Sequence, residues 1–109
     1  MEMNEIIVLC ATDNQELAEH IAAALVEACE VACVNIVPGI RSIYRWEGKV
    51  CKETECLLLI KTTMERFEAV RGRIRRMHSY QVPEIIAIPV IAGDPDYLKW
   101  LHASVEEKS

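Results

Sequence analysis

The sequence of 109 residues and 12.4 kDa predicts one domain spanning residues 1–109, and its content of 51% apolar and 27% charged residues excludes disorder as the main state. It contains no apolar run of the roughly 18 residues that a membrane span needs, and its first five residues are acidic where a signal peptide is positive, so we expect a soluble, unsecreted protein. A net charge of -5 disfavours nucleic-acid binding, because neutralising phosphates requires an excess of Lys and Arg.

The first predicted elements are a strand and a helix. Residues 6–10 form a short apolar, β-branched run that is typical of a buried strand. Asp13 with Glu16 three residues later fits a capping box at the start of a helix. Apolar residues then recur every four positions, which predicts a helix that ends near Cys29 or Glu30 and packs one face on the core. These apolar positions are Leu17, Ile21, Leu25 and Cys29.

A long hairpin is predicted next. Residues 31–46 are rich in β-branched and aromatic side chains, and Pro38 with Gly39 should bend or bulge this strand. Residues 47–49 predict a tight turn, and residues 50–61 return as the second strand. Each arm of about 14 residues reaches about 45 Å at ~3.3 Å per residue, whereas a globule of this length is only about 34 Å across. The hairpin tip must therefore project from the subunit or pair with another chain.

The second half of the chain predicts a helix, an edge strand and a short final helix. Residues 62–65 fit another capping box, and the helix that follows should end near His78. Residues 84–91 read as a strand, which belongs at a sheet edge because Pro89 cannot donate to a ladder. Asp94 is expected to cap the last helix, with a proline at its first position.

This order of elements predicts the fold class. A β-α-β-β-α-β order followed by a helix indicates an α+β, ferredoxin-like fold of the split β-α-β type. Right-handed crossovers place the first strand beside the third and fourth in an antiparallel sheet. The first strand and the second helix then end at one edge, so Cys10 and His78 become neighbours although they lie 68 positions apart. The hairpin tip points the same way.

Cys10 and His78 are therefore the first candidates for chemistry. A thiolate with an imidazole is a soft donor set suited to Cu or Zn, and the Met77 thioether would favour Cu(I). The alternative is structural, with Cys10 and Met77 packed in the core and His78 favoured at a helix end. The chain holds five cysteines, an odd number without a C-x-x-C pair, which disfavours a disulfide framework and a zinc ribbon.

Charged residues provide two further candidates. Glu53 and Glu55 lie two residues apart and therefore share one face of a strand. Such a pair of carboxylates can bind a hard cation or serve acid-base chemistry. The alternative is that both are solvated charges on the hairpin. Lys61 is an even number of residues from both glutamates and is therefore expected on the same strand face. The arginines between Arg71 and Arg76 form either an anion site or a solvated helix face. Because no phosphate loop, nucleophile elbow or metalloprotease motif occurs, we expect no enzymatic activity.

Five stretches, taken together and in order, resemble one known family. They are residues 32–39 (ACVNIVPG), 42–50 (SIYRWEGKV), 60–63 (IKTT), 78–84 (HSYQVPE) and 93–101 (GDPDYLKWL). This pattern resembles the CutA family of divalent-cation tolerance proteins and covers nearly the whole chain. The resemblance implies a ferredoxin-like subunit in a tight homotrimer similar to PII signalling proteins, with the long hairpins packed on neighbouring subunits.

The same resemblance implies a cytoplasmic protein that binds copper or other divalent metal ions and acts in the response to them. The family's copper ligands are a cysteine that ends the first strand and two adjacent histidines. Cys10 and His78 match these positions, while Met77 stands at the first histidine position. A Cys/Met/His set would shift the preference toward Cu(I).

Seven further residues, five of them in the matching stretches, are expected to line a cleft or a subunit interface. They are Tyr44, Trp46, Glu53, Glu55, Lys61, Tyr80 and Glu84. The leading hypothesis is a homotrimeric, non-enzymatic metal-binding protein. An unknown protein is a further candidate partner. The alternative is a PII-like signalling module that binds a small anion or a partner protein in the clefts between subunits, through the Arg71 to Arg76 cluster or Lys61.

Overall fold

A computed structural model of the protein describes residues 4–106. The strands are β1 (Glu5–Thr12), β2 (Cys33–Trp46), β3 (Lys49–Thr63) and β4 (Ile86–Pro89), and the helices are α1 (Gln15–Glu27), α2 (Phe67–Met77) and α3 (Pro95–Ser104). The strands form one antiparallel sheet in the order β2-β3-β1-β4. The predicted α+β, ferredoxin-like order is confirmed.

The core lies between the sheet and the first two helices. Alternate residues of the central strands β1 and β3 point to the helices, which supply their own apolar stripes. Met77, at the end of α2, is partly buried and packs against this core. The fully or nearly buried members include Ile6, Val8, Cys10, Ile21, Leu25, Leu58, Ile60, Val70 and Ile74.

The β2–β3 hairpin projects beyond the rest of the sheet, as its length predicts. β3 pairs with β1 only from Cys56 to Thr63, so the part of the hairpin nearer the tip pairs only with itself. The register shifts at Pro38 and Gly39, where a bulge was expected. Glu47 and Gly48 both have positive φ, the signature of a type I′ turn that matches strand twist. The subunit measures 45 × 27 × 21 Å.

The start and end of α1 differ from the prediction. Asn14, not Asp13, caps the helix, and its Oδ1 accepts a hydrogen bond of 2.7 Å from the Leu17 amide. Asp13 is unsuited because its Oδ1 already accepts hydrogen bonds from the Asn14 and Ser79 side chains. The helix ends at Glu27, earlier than predicted, because Cys29 adopts a left-handed conformation that closes a Schellman motif.

The capping box predicted for the second helix is wrong. Residues Met64–Arg66 form a short 3-10 turn, and α2 begins only at Phe67. Thr63 makes no side-chain cap and still belongs to β3. The Glu65 carboxylate accepts a 2.7 Å hydrogen bond from the Asn4 side-chain amide, so it does not reach back to the helix start. A tertiary contact therefore replaces the local one.

The remaining elements follow the prediction more closely. β4 is shorter than expected and pairs only with β1 at the sheet edge, where Pro89 loses no ladder hydrogen bond. Asp94 caps α3 by accepting hydrogen bonds from the amides of Asp96 and Tyr97. All five cysteines are free thiols. No helix within residues 4–106 has the length and apolar content required to cross a membrane.

Candidate functional site

The ends of β1 and α2 meet through His78. Its ring Nε2 donates a hydrogen bond of 2.7 Å to the Ala11 carbonyl, and Nδ1 accepts one of 3.0 Å from the Tyr80 amide. A carbonyl only accepts, so this geometry assigns the proton to Nε2. The predicted convergence of these two chain segments is confirmed. Both ring nitrogens, however, are engaged within the protein.

Cys10 is placed one residue before Ala11 but faces the core. Its side chain is 0% exposed. Burial, followed by the nearby carboxylates of Glu84 and Glu55, raises the pKa of the Cys10 thiol to about 12. The thiol is therefore protonated at neutral pH, whereas a metal ligand must be a thiolate.

The three predicted metal ligands do not form a ready donor set. Cys10 presents a neutral thiol, His78 has no free ring nitrogen, and Met77 packs against the core. Over residues 4–106, no group of three or more His, Cys, Asp or Glu side chains is positioned to hold a metal ion. As placed, the Cys10, Met77 and His78 set does not fit a soft metal ion.

A cleft of about 640 Å³ opens beside this junction, between the projecting hairpin and the loop formed by residues 79–84. We call it the hairpin cleft. One wall comes from β2 and the other from the loop, and the end of β1 closes it. Its lining residues are Ala11, Ser42, Ile43, Tyr44, Trp46, Glu55, Ser79, Tyr80, Gln81, Val82 and Glu84.

Glu55 is the most deeply placed charged residue of the hairpin cleft. Its side chain lies on β3 and is only 7% exposed. Its Oε2 accepts a hydrogen bond of 2.6 Å from the Tyr80 hydroxyl. Burial together with this carboxylate raises the pKa of Tyr80 well above its usual value, so the hydroxyl stays protonated and keeps donating. The loop and the hairpin are thereby joined across the cleft.

The hairpin cleft brings together five of the seven residues predicted to line a cleft or interface. Tyr44, Trp46, Glu55, Tyr80 and Glu84 all face it. Glu53 lies next to Tyr44, whose pKa rises through burial and then through this carboxylate, but Glu53 is outside the lining. Lys61 lies far along β3, where its Nζ donates to Asn35 Oδ1 and lies 3.9 Å from Cys33 Sγ.

Several lining residues were missed by sequence reasoning. Ser42 shares its strand face with Tyr44 and Trp46, so period-two alternation could have found it. Ser79, Gln81 and Val82 lie in an irregular loop, where no periodicity marks a side chain's direction.

The arginine cluster of α2 is partly used for structure. Arg73 forms two hydrogen bonds with the Glu30 carboxylate, of 2.6 and 3.1 Å, which tie α2 to the end of α1. Arg71 pairs with Glu68 on its own helix at 2.9 Å. Two of the four guanidinium groups therefore already have carboxylate partners.

The fold and the cleft define the class of protein: a ferredoxin-like α+β subunit with a long projecting hairpin and an acidic, aromatic-lined cleft at the strand ends. The family described as CutA1 divalent ion tolerance protein matches residues 6–104. The chain belongs to this CutA1 family.

Individual relatives agree with this assignment. The divalent-cation tolerance protein CutA of Thermus thermophilus is 50% identical over 97 residues, which cover 89% of this chain and 94% of that protein. A chloroplastic CutA of Arabidopsis thaliana is 43% identical over 99 residues, and the chain spans 54% of its length. The solved CutA1 structure from Oryza sativa has a TM-score of 0.93 at 40% identity, with 97% of each chain covered.

Proposed function

We propose that the protein is a homotrimer that binds divalent metal ions in the hairpin cleft. The observation that carries the proposal is that the carboxylate residues Glu55 and Glu84 both line the hairpin cleft. No Lys, Arg or His belongs to the lining that the structure describes. The two negative charges are therefore left without a basic partner in the cleft.

The donor atoms of the hairpin cleft suit hard cations. Carboxylate and hydroxyl oxygens are the ligands that Mg²⁺, Ca²⁺ and Mn²⁺ prefer, whereas Cu(I) prefers thiolate and thioether sulfur. Mg²⁺ commonly keeps several of its waters and takes only one or two carboxylates from the protein. The names of relatives support the divalent charge, because the T. thermophilus relative is called a divalent-cation tolerance protein.

Copper binding by Cys10, Met77 and His78 is the competing ligand assignment. It would require a buried thiol to lose its proton and His78 to release one of its two hydrogen bonds. Because both steps oppose binding, we expect this set to bind Cu(II) more weakly at neutral pH than the carboxylates bind a hard ion.

We propose that the role of the protein is binding rather than catalysis. We also propose that the protein acts in the cytoplasm. The alternative PII-like role, in which a small anion binds, has less support because two carboxylates line the cleft while Arg71 and Arg73 already have acidic partners. Titration with nucleotides tests this alternative, and we expect no heat of binding.

Calorimetric titration of the metal-free, reduced protein with Mn²⁺ and with Cu²⁺ tests the proposal. We expect Glu55→Gln to weaken Mn²⁺ binding by about tenfold or more, because the charge of the ligand set controls affinity. Glu53→Gln, with the same charge change on the same strand outside the lining, is the matched control and should stay within about twofold. Equal losses in the two variants, or no Mn²⁺ binding by the wild type, would contradict the proposal. Copper binding that is lost in Cys10→Ala but kept in Glu55→Gln would support Cys10, Met77 and His78 as the metal ligands instead.

A further inference from the structure

We infer that Tyr80 determines which divalent ions the hairpin cleft prefers, because its hydroxyl occupies one oxygen of Glu55 and leaves only the other to bind an ion. The inference rests on the cation site of the proposed function and deepens it. Tyr80 is the positioning residue, and small octahedral ions such as Mg²⁺ and Mn²⁺ are the preferred class. The contacts that support the inference all lie within one chain.

The two carboxylate oxygens of Glu55 have different surroundings. Oε2 accepts a hydrogen bond of 2.6 Å from the Tyr80 hydroxyl, whereas no residue between positions 4 and 106 donates a hydrogen bond to Oε1. Glu55 lines the hairpin cleft and is only 7% exposed, so its carboxylate has little freedom to turn. A carboxylate held in this way can offer one oxygen to an ion without breaking its contact with the protein.

The position of Tyr80 is fixed by its neighbours. Its amide donates a hydrogen bond of 3.0 Å to Nδ1 of His78, and the two rings lie 4.6 Å apart. His78 in turn donates to the Ala11 carbonyl near the end of β1. β3 pairs with this same strand as far as Cys56, the residue after Glu55. The hydroxyl and the carboxylate are therefore held together by the fold, because both are attached to the end of β1.

The number of oxygens that a carboxylate offers influences which ion it binds. Ca²⁺ takes roughly six to eight oxygen ligands at about 2.3–2.6 Å and accepts carboxylates that bind through both oxygens. Mg²⁺ requires a nearly ideal octahedron at about 2.0–2.1 Å and keeps several waters, and Mn²⁺ suits a similar octahedral site of oxygens. A carboxylate with one free oxygen therefore favours the smaller octahedral ions over Ca²⁺.

A purely structural role for the Tyr80 hydroxyl predicts a different result. If its hydrogen bond only joined the loop to the hairpin, removing the hydroxyl would weaken the binding of every ion by a similar factor. If the hydroxyl limits Glu55 to one oxygen, removing it should strengthen Ca²⁺ binding and leave Mn²⁺ binding nearly unchanged. The ratio of the two affinities distinguishes the two roles, because specificity is a difference between binding free energies.

The test is a calorimetric titration of the metal-free protein with Mn²⁺ and with Ca²⁺. We expect the wild type to bind Mn²⁺ about tenfold or more tightly than Ca²⁺. Tyr80→Phe keeps the ring and removes only the hydroxyl, and it should strengthen Ca²⁺ binding about tenfold while changing Mn²⁺ binding less than about threefold. The matched control is Tyr97→Phe, which removes an exposed hydroxyl on α3 outside the lining and should leave both affinities within about twofold.

The outcomes separate this inference from the proposed function. If Mn²⁺ binds through Glu55 but Tyr80→Phe leaves the ratio of the two affinities unchanged, the inference is wrong and the proposed function stands. Equal weakening of both ions in Tyr80→Phe also overturns the inference, because the hydroxyl then only stabilises the cleft. If Tyr80→Phe does not fold, the wild type still decides, since Ca²⁺ binding as tight as Mn²⁺ binding contradicts the inference. If the wild type binds neither ion, both the inference and the proposed function are wrong.

Discussion

His78 acts within the protein as a connection between two chain segments. Through Nε2 it holds the end of β1, and through Nδ1 it fixes the start of the loop that forms one wall of the hairpin cleft. Its ring lies 4.6 Å from the ring of Tyr80, which in turn binds Glu55. At the scale of single residues, these contacts determine the shape of the cleft.

Removing the His78 side chain should destabilise the fold. His78→Ala removes the hydrogen bond to the Ala11 carbonyl and the acceptor of the Tyr80 amide, which costs about 1–3 kcal/mol of the free energy of unfolding. The control is His20→Ala, since His20 is exposed on α1 and should matter by less than about 0.5 kcal/mol. Urea unfolding of both variants measures the difference. Equal midpoints would show that the two hydrogen bonds do not stabilise the fold.

Cys10 should make the protein sensitive to alkaline pH. Burial, with the nearby carboxylates of Glu84 and Glu55, raises the pKa of its thiol from the ordinary value of 9.0 to about 12, so the unfolded chain loses this proton at lower pH than the folded chain does. The stabilisation is fully present below pH 9 and is lost as the pH rises toward 12, by about 1.4 kcal/mol per pH unit.

Urea unfolding between pH 8 and pH 10, below the range in which the raised pKa of Tyr80 contributes, measures that slope. We expect Cys10→Ala to be less stable at neutral pH because it leaves a small cavity, but to lose stability less steeply as the pH rises. Cys51→Ala, which removes a half-buried thiol from the hairpin, should keep the wild-type slope. A steep slope retained in Cys10→Ala would show that another group is responsible.

At the scale of elements, tertiary contacts decide where the helices begin. Local spacing located every helix and strand, but both capping boxes were assigned wrongly. Asp13 was displaced by Asn14, and Glu65 bonds Asn4, 61 positions away, instead of its own helix. A capping-box pattern depends only on residues that are close in sequence. It cannot show hydrogen bonds to residues that are distant in sequence.

Two substitutions at the start of α1 test which residue caps the helix. Asn14→Ala removes the hydrogen bond to the Leu17 amide and should cost about 1 kcal/mol of unfolding free energy. Asp13→Ala should cost less, about 0.5 kcal/mol or below, because its contacts are exposed. Thermal unfolding of the pair decides the question. A greater loss of unfolding free energy in Asp13→Ala than in Asn14→Ala would support the capping box that the sequence predicts.

The site was predictable where it lies on regular elements. Alternation along the hairpin predicts the strand faces of Tyr44, Trp46 and Glu55, while their place in a cleft followed from the family resemblance. Crossover geometry brought His78 to the end of β1. The partner of His78 was not predictable, because a backbone carbonyl has no sequence signature. The soft metal set failed for a related reason, since alternation alone does not show how completely Cys10 is buried.

At the scale of the whole molecule, the surface indicates assembly with other copies. β4 and the residues after it expose Ile86, Ile88 and Ile91, the last of them 85% exposed. Val50 adds an apolar side chain on the projecting hairpin. Exposed isoleucines along an open sheet edge suit coverage by another chain, because edges left bare promote aggregation, so they support the proposed assembly.

For the homotrimer proposed above, light scattering on the purified protein should give three times the 12.4 kDa chain mass. Ile88→Lys should lower this mass, because it places a charge on the apolar edge strand. Val26→Lys is the matched control, since Val26 is an exposed apolar residue on α1. A monomeric wild type, or equal masses for the two variants, would contradict assembly through this edge.

A native mass spectrum of the wild type and of Glu55→Gln, recorded with Mn²⁺ added, tests the hairpin cleft as a cation site because it counts chains and ions together. We expect a trimer that carries one ion per chain in the wild type and a metal-free trimer in Glu55→Gln. A Glu55→Gln trimer that retains its ions, or a wild type that binds none, would contradict the assignment of the hairpin cleft as the cation site.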